Sequence, residues 1–178
     1  MAIHELVLGY VAAGDHRLMH KVNRWTPPKW LRLWMILATR AGDGWLWYAV
    51  GLAILLAGGA ERWAAVGAGA TAAAFGIVLF ECLKRLADRR RPCEIEPHCW
   101  AELLPPDRFS FPSGHSMTAF GVCVSLSLSY PALLPALLFC ALSVAASRIL
   151  LGMHFLSDVI VGSCLGALDA YVAFALFR

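Results

Sequence analysis

Five long stretches of the 178-residue chain carry few charges, and 60% of all residues are hydrophobic. The stretches cover residues 45–59, 63–83, 115–130, 132–146 and 155–177. A helix needs about 20 apolar residues to cross the hydrocarbon core of a bilayer, and residues 61–83 and 155–177 meet that length. A soluble helical bundle would need more polar faces than these stretches offer. The sequence therefore predicts an all-α, polytopic membrane helix bundle.

The first 40 residues differ, because their apolar side chains alternate with charges at helical spacing. The apolar positions recur at steps of three or four, at Ile3, Val7, Val11, Leu18 and Val22. Asp15 and Lys21 fall on other faces, a pattern typical of an amphipathic helix in the membrane interface. Residues 29–40 form a second short helix that either crosses the membrane or lies along it. We therefore predict amphipathic N-terminal helices in residues 1–40 and a membrane-embedded domain in 41–178, with five to six transmembrane helices.

Small residues indicate how the membrane helices pack. Gly162 and Gly166 lie four residues apart in the last apolar stretch. Small residues at this spacing let two helix backbones approach closely within a membrane. We therefore predict a helix contact on this face.

Three short polar clusters lie at the ends of the apolar stretches. In order, they are Lys84 with Arg91-Pro92, then Pro112-Ser113-Gly114-His115, then Ser147-Arg148 with His154 and Asp158. Lys84, Arg91 and Arg148 together supply three positive charges. Arginine offers a planar fork that suits phosphate, and lysine a point charge. The clusters predict a binding site for a doubly charged oxyanion, with these three side chains on its nonbridging oxygens.

His154 and Asp158 are four residues apart, so on one helix they lie on the same face. A carboxylate bonded to one imidazole nitrogen fixes the tautomer and leaves the other nitrogen free to attack. Taken alone, the pair is more simply a membrane histidine satisfied by a carboxylate. Beside Arg148 and the other clusters, we interpret His154 as a nucleophile that attacks phosphorus and forms a phosphohistidine. Asp158 is then its supporting catalytic residue.

His115 stands where a loop turns into an apolar helix. A helix start offers unpaired backbone N–H groups to an anion, and Gly114 lets a phosphate approach the backbone closely. Ser113 and Gly114 are therefore predicted phosphate ligands. His115 is predicted to protonate the leaving oxygen and later to activate water. The simpler alternative is that Ser113 is a plain helix N-cap and His115 an exposed first-turn residue.

The neighbouring arginines receive a different interpretation. Arg85, Arg89 and Arg90 follow Lys84 in the same polar segment. We predict that they are solvated charges or contacts to anionic lipid head groups.

The three clusters resemble, without a gap, the signature K-x6-RP, PSGH and SR-x5-H-x3-D of the type 2 phosphatidic acid phosphatase superfamily. The resemblance covers roughly residues 40–178. It implies an integral membrane enzyme that hydrolyses a phosphomonoester or diphosphate on a lipid. Candidate substrates are phosphatidic acid, phosphatidylglycerol phosphate, a polyprenyl diphosphate or a lipid A phosphate. The superfamily also contains vanadium haloperoxidases and soluble acid phosphatases.

Two other functions stay open at this stage. A vanadate-dependent haloperoxidase would share the anion pocket, although the membrane character argues against it. A non-enzymatic protein that binds or transports anions would not need both histidines and Asp158. No metal or other cofactor is expected, because three cationic side chains already neutralise the phosphate. The expected partners are a lipid phosphate and the bilayer, with no nucleic acid, and the oligomeric state is not predicted.

Localisation and the cysteines are linked. Bacterial enzymes that the chain resembles usually have their site on the outer face of the inner membrane, which we adopt as the expectation. Cys93 and Cys99 lie in the polar loop between the first two clusters. In an oxidising periplasm they could form a disulfide. A metal site with the nearby His98, or free thiols, are the alternatives.

Overall fold

The computed structural model describes residues 3–96 and 108–178, and these ranges contain helices and one isolated β-bridge but no strand. In chain order the helices are α1 (Ile3–Asn23), α2 (Lys29–Gly42), α3 (Trp45–Ala57), α4 (Arg62–Ala87), α5 (Pro92–Ile95), α6 (Gly114–Ser129), α7 (Leu134–Leu150) and α8 (Leu156–Ala175). A 3₁₀ turn, Pro131–Leu133, leads into α7. The predicted all-α fold is confirmed.

Three helical stretches in the described ranges are long and apolar enough to cross a membrane. They are α4, the run Pro131–Leu150 that contains α7, and α8. α3 is a shorter apolar helix of 13 residues. α6 packs against α4, α7 and α8 and so forms the centre of the bundle. Large apolar side chains such as Phe75, Val78 and Leu142 point outward and are more than half exposed, as in helices that face lipid.

α6 and α8 lie backbone to backbone, because α8 has glycines on the contact face. A Cβ atom added at Gly162 would lie 2.5 Å from the carbonyl oxygen of Ser113, and one at Gly166 would overlap the carbonyl of Met117. The predicted contact on the Gly162 and Gly166 face is confirmed. It fixes the start of α6 directly against the first turns of α8.

The N-terminal helices pack against the site end of the bundle. α2 has 14 residues and lies against α7, while α1 contacts α8. Val22 of α1 and Met35 of α2 share a buried apolar cluster with Leu151 and Met153, which follow α7. The division of the chain at residue 40 stays a prediction.

Two tight connections bring the polar clusters together. After α4, Asp88 has a φ of +43° and reverses the chain, so that Arg90 pairs with Phe109 in the β-bridge. The backbone N–H of Ser110 donates to the carbonyl of Arg89 over 2.7 Å. After α7, the N–H groups of Met153 and His154 both donate to the carbonyl of Arg148, each over 3.0 Å. The backbone thus places His154 beside Arg148, with Ser110 held next to Arg89.

Candidate active site

The predicted site residues converge at one end of the bundle. Seven of the eight are buried: Lys84, Arg91, Ser113, Gly114, Arg148, His154 and Asp158. Gly114 and His115 begin α6 at the same end. His154 interacts electrostatically with Arg148, Arg91 and His115, so the two histidines lie in one electrostatic environment. Residues from three separate parts of the sequence therefore form a single site.

Arg91 lies directly against the proposed nucleophile. Its Nη1 donates to the carbonyl of Met153 over 2.8 Å and lies 3.2 Å from Nε2 of His154. The Arg91 side chain is 1% exposed, so this charge acts in a poorly screened environment. An anion bound by Arg91 would therefore sit within reach of the His154 ring.

The tautomer of His154 is set by a backbone carbonyl. Nδ1 lies 2.5 Å from the carbonyl oxygen of Ser110, which can only accept a hydrogen bond, so Nδ1 carries the proton. Nε2 is then left with its lone pair on the side of Arg91. Burial, and next the charges of Arg148 and Arg91, hold the pKa of His154 well below its usual value near 6.5. The imidazole is therefore neutral at physiological pH, as a nucleophile must be.

Asp158 does not make the predicted hydrogen bond to His154. The distance from Oδ2 of Asp158 to Nδ1 of His154 is 3.8 Å, which is too long for a hydrogen bond. The Nδ1 proton is donated to the Ser110 carbonyl. Instead, Oδ2 accepts the backbone N–H of Phe155 over 2.8 Å, and Oδ1 accepts Nη1 of Arg89 over 2.6 Å. Asp158 thus anchors the first turn of α8 through Phe155, the residue that follows His154.

Arg89 is held by two carboxylates and is not simply a solvated charge or a lipid contact, so the prediction was wrong for this residue. It lies between two buried carboxylates, donating to Asp158 and, through Nη2, to Asp15 over 2.7 Å. Its guanidinium also stacks over the Phe155 ring, 4.3 Å from the centroid. Asp15 in turn accepts the backbone N–H of Ser157 over 3.0 Å and its hydroxyl over 2.5 Å. This Asp15–Arg89–Asp158 network joins α1, the loop after α4 and α8.

His115 has a carboxylate partner that the sequence reasoning missed. Its Nε2 lies 2.8 Å from Oδ1 of Asp43, in the loop between α2 and α3. The His115 side chain is 21% exposed and that of Asp43 is 44% exposed. His115 is therefore held in a defined orientation at the open side of the site, and it is not a free first-turn side chain.

Ser113 is the N-cap of α6, as the simpler alternative had it. Its Oγ accepts the Ser116 hydroxyl over 3.0 Å and the Ser116 N–H over 3.5 Å. Its own N–H donates to the carbonyl of Asp158 over 3.1 Å. Gly114 is packed under Phe80, where an added Cβ would come within 2.9 Å of the ring. Phosphate binding by Ser113 and Gly114 stays a prediction.

The other two cations are also embedded in the protein. Nζ of Lys84 lies 4.7 Å from the centroid of the Phe80 ring and 4.0 Å from a carboxylate oxygen of Glu81. Nη1 of Arg148 donates to the hydroxyl of Thr39, on α2, over 2.5 Å. Cations held by surrounding groups can stabilise developing charge without first reorganising.

Four residues of the site carried no sequence signal that singled them out: Asp15, Thr39, Asp43 and Ser110. Asp15 looked like part of the polar face of an interfacial helix. Asp43 lies between two glycines and was interpreted only as a break between helices. Ser110 acts through its carbonyl, a group that every residue has. Cys93 has a free thiol in the structure and Cys99 lies outside the described residues, so the predicted Cys93–Cys99 disulfide is not supported.

Similar proteins match this chain along most of its length. A sequence profile of the PAP2 superfamily, the type 2 phosphatidic acid phosphatases, matches residues 63–178. A decaprenylphosphoryl-5-phosphoribose phosphatase of Mycobacterium tuberculosis is 40% identical over 126 residues, 70% of this chain and 66% of that protein. A lipid A 1-phosphatase of Rhizobium johnstonii is 33% identical over 97 residues, 52% of this chain and 40% of that protein. The chain thus spans less than two thirds of each of these relatives.

Solved structures share the fold over nearly the whole chain. The crystal structure of Aquifex aeolicus LpxE has a TM-score of 0.75 at 25% identity, covering 89% of this chain and 93% of its own. The structure of a transmembrane PAP2-type phosphatidylglycerolphosphate phosphatase from Bacillus subtilis has a TM-score of 0.70 at 23% identity. The match covers 94% of this chain and 86% of the Bacillus chain. With the profile match and the site geometry, these likenesses show that the chain belongs to the PAP2 superfamily.

Proposed function

We propose that this protein is an integral membrane phosphatase that removes phosphate from a lipid phosphomonoester or diphosphate without a metal. The observation that carries the proposal is the position of His154. Its Nε2 lies 3.2 Å from the buried guanidinium of Arg91, while its Nδ1 proton is held by Ser110. This arrangement presents a neutral nucleophile to the place where a phosphate would bind.

The proposed reaction has two displacements at phosphorus. In the first, Nε2 of His154 forms a bond to phosphorus, the bond to the leaving oxygen breaks, and His115 protonates that oxygen. In the second, His115 takes a proton from water, the water oxygen attacks phosphorus, and the N–P bond breaks. Lys84, Arg91 and Arg148 would hold the nonbridging oxygens, where charge builds up in the transition state.

Asp158 is proposed to act indirectly. It anchors the Phe155 N–H and Arg89, and so fixes the backbone immediately after His154. We assign it a positioning role for the nucleophile. Because the Ser113 N–H already donates to the Asp158 carbonyl, Ser113 would offer its hydroxyl to the anion. The N–H groups at the start of α6 would be added by Gly114 and His115, at the positive end of the helix dipole.

A lipid substrate is supported by the three membrane-length helices, whose site end carries the cationic residues. The mycobacterial relatives act on a polyprenyl phosphosugar and the rhizobial one on lipid A, by their names. The proposed substrates are therefore a polyprenyl phosphate or diphosphate, phosphatidic acid, phosphatidylglycerol phosphate or a lipid A phosphate. The membrane-length helices favour these over the haloperoxidase alternative.

The protein is proposed to reside in the bacterial inner membrane with its site on the periplasmic face. In that arrangement, intact spheroplasts should hydrolyse an added short-chain lipid phosphate that cannot cross the membrane. Hydrolysis that requires inside-out vesicles would place the site on the cytoplasmic face instead.

The function is tested by measuring phosphate release from each proposed substrate by the purified protein in detergent with EDTA. Wild type should release phosphate from at least one lipid, and a correctly folded His154→Ala variant should release none. Glu61→Gln, at the opposite end of α4, is the matched control and should keep wild-type activity. A wild-type protein that hydrolyses none of the lipids, or needs Mg²⁺ to do so, would contradict the proposal.

A further inference from the structure

Asp43 and His115 form a contact between parts of the chain 72 residues apart. Oδ1 of Asp43 accepts a hydrogen bond from Nε2–H of His115 over 2.8 Å, a good distance for a charge-assisted bond. Asp43 comes from the short loop between α2 and α3, and His115 from the first turn of α6. Asp43 also precedes residue 63, so it lies outside the region matched by the superfamily profile.

The two glycines beside Asp43 allow this contact. A Cβ atom at Gly42 would lie 2.9 Å from Cγ1 of Val144 and 3.3 Å from Cδ2 of His115, so a larger residue would have to displace these side chains. The glycine lets the end of α2 lie close to the imidazole ring. Gly44 has a φ of +125°, a backbone angle that residues with a side chain rarely adopt. The turn thus delivers the Asp43 carboxylate to the edge of the imidazole.

We propose that Asp43 is a positioning residue for His115, fixing its tautomer so that Nδ1 is the nitrogen that exchanges the catalytic proton. With Nε2–H engaged by Asp43, protonated His115 donates from Nδ1 to the leaving oxygen. The neutral ring then accepts a proton at Nδ1 from the attacking water. This inference rests on the proposed function, and it deepens the role of His115 in that reaction.

The charges around His115 explain why such a partner matters. Burial disfavours a proton on the His115 ring, and so, next, does the charge of Arg148 on α7, with a smaller contribution from Lys84 on α4. His154, in the turn before α8, is a third titratable neighbour. A general acid must nevertheless hold a proton when the substrate arrives. Asp43 supplies the opposing negative charge, because a nearby carboxylate favours the imidazolium.

The test compares Asp43→Asn, Asp43→Glu and the control Glu61→Gln in the phosphate release assay. Asp43→Asn keeps the size and the polarity of the side chain but removes its charge. It should lower kcat by about 10- to 100-fold, a part of the general acid–base contribution, with little change in KM. The alkaline limb of the kcat profile should move to lower pH, because His115 loses its proton more easily. Asp43→Glu should recover part of the rate.

A His115→Ala background separates positioning from folding. There, adding Asp43→Asn should have no further effect on the residual rate, because the residue acts through His115. An equal loss in both backgrounds, or an Asp43→Asn variant with wild-type kcat and pH profile, would overturn the inference.

A second readout does not depend on turnover. In NMR spectra of histidine-labelled protein in detergent, wild-type His115 should be the Nε2–H tautomer when neutral and should lose its proton at higher pH than in Asp43→Asn. An inactive wild type that still shows this difference would refute the proposed function and leave the Asp43–His115 pairing supported. No difference between the two proteins would refute the pairing.

Discussion

Removing Arg89 should destabilise the protein far more than removing the exposed Arg85. The Asp158 side chain is 0% exposed and that of Asp15 is 3% exposed, and Arg89 donates to both. Arg89→Ala would leave these carboxylates buried without their shared cation. Breaking a buried ion pair by deleting one partner typically costs 3–5 kcal/mol, and we take the lower end, about 3 kcal/mol, because Arg89 itself is partly exposed. In a chain of this size each kcal/mol lowers Tm by about 2–4 °C, which gives a fall of about 6–12 °C.

The assay is thermal unfolding of the purified protein in detergent, followed by intrinsic tryptophan fluorescence. Arg85→Ala is the matched control, because Arg85 is an exposed arginine in the last turn of α4, just before the loop that contains Arg89. The double variant Arg89→Ala/Asp158→Asn should recover part of the loss, because a neutral amide can still accept the Phe155 N–H without burying a charge. If Arg89→Ala melts within about 2 °C of Arg85→Ala, a shift worth at most about 1 kcal/mol, the network does not stabilise the fold as argued.

The remaining predictions concern the nucleophile, the anion pocket and the packing of the helices. Asp158→Asn should keep weak but measurable phosphate release, because the amide still caps the Phe155 N–H; complete loss at normal Tm would give Asp158 a direct chemical role. In an NMR titration of the free protein, His154 should stay neutral as pH falls from 6.5 to 5.5, because burial and Arg148 lower its pKa. The unfolded chain takes up a proton at this histidine in the same range and the folded chain does not, so Tm should fall as the pH falls from 6.5 to 5.5. A His154 that titrates near its usual pKa would contradict both expectations. Vanadate should inhibit competitively, by mimicking the pentacoordinate transition state, and inhibition that is independent of substrate concentration would place its site elsewhere. Gly166→Ala should lower the yield of folded protein in size-exclusion chromatography, because its Cβ would overlap the Met117 carbonyl; a wild-type elution profile and Tm would mean that the helices can separate.

The sequence predicts the general architecture and the signature residues well. Long apolar stretches can only satisfy their backbone groups in a membrane as helices or closed barrels, and helical spacing decides for helices. Lys84, Arg91, Arg148 and the two histidines are polar side chains at the ends of such stretches, where an interfacial site can form. Their convergence at one end of the bundle follows from the order of the helices.

The partners of the two histidines could not be predicted in the same way. The Asp158 spacing suggested a bond to His154, but the backbone turn brings the Ser110 carbonyl closer. Among the three consecutive arginines 89–91, the first and the last are turned into the protein and Arg90 is exposed, and no local sequence pattern distinguishes them. Asp43 reaches His115 through a tertiary contact that no local pattern encodes.

The close fit of α6 against α8 has a consequence for how the enzyme can respond to its substrate. His115 stands on the first turn of one helix, and the chain that follows His154 enters the other. The backbone of α8 at Gly162 lies so close to the Ser113 carbonyl that it has no room for a Cβ atom, and this close contact restrains movement of one helix against the other. The spacing of acid and nucleophile is therefore settled during folding, and binding spends little energy on bringing them together. Differences in substrate preference between members of the superfamily must then arise from residues at the edge of the site that contact the lipid, and not from the residues that contact the phosphate.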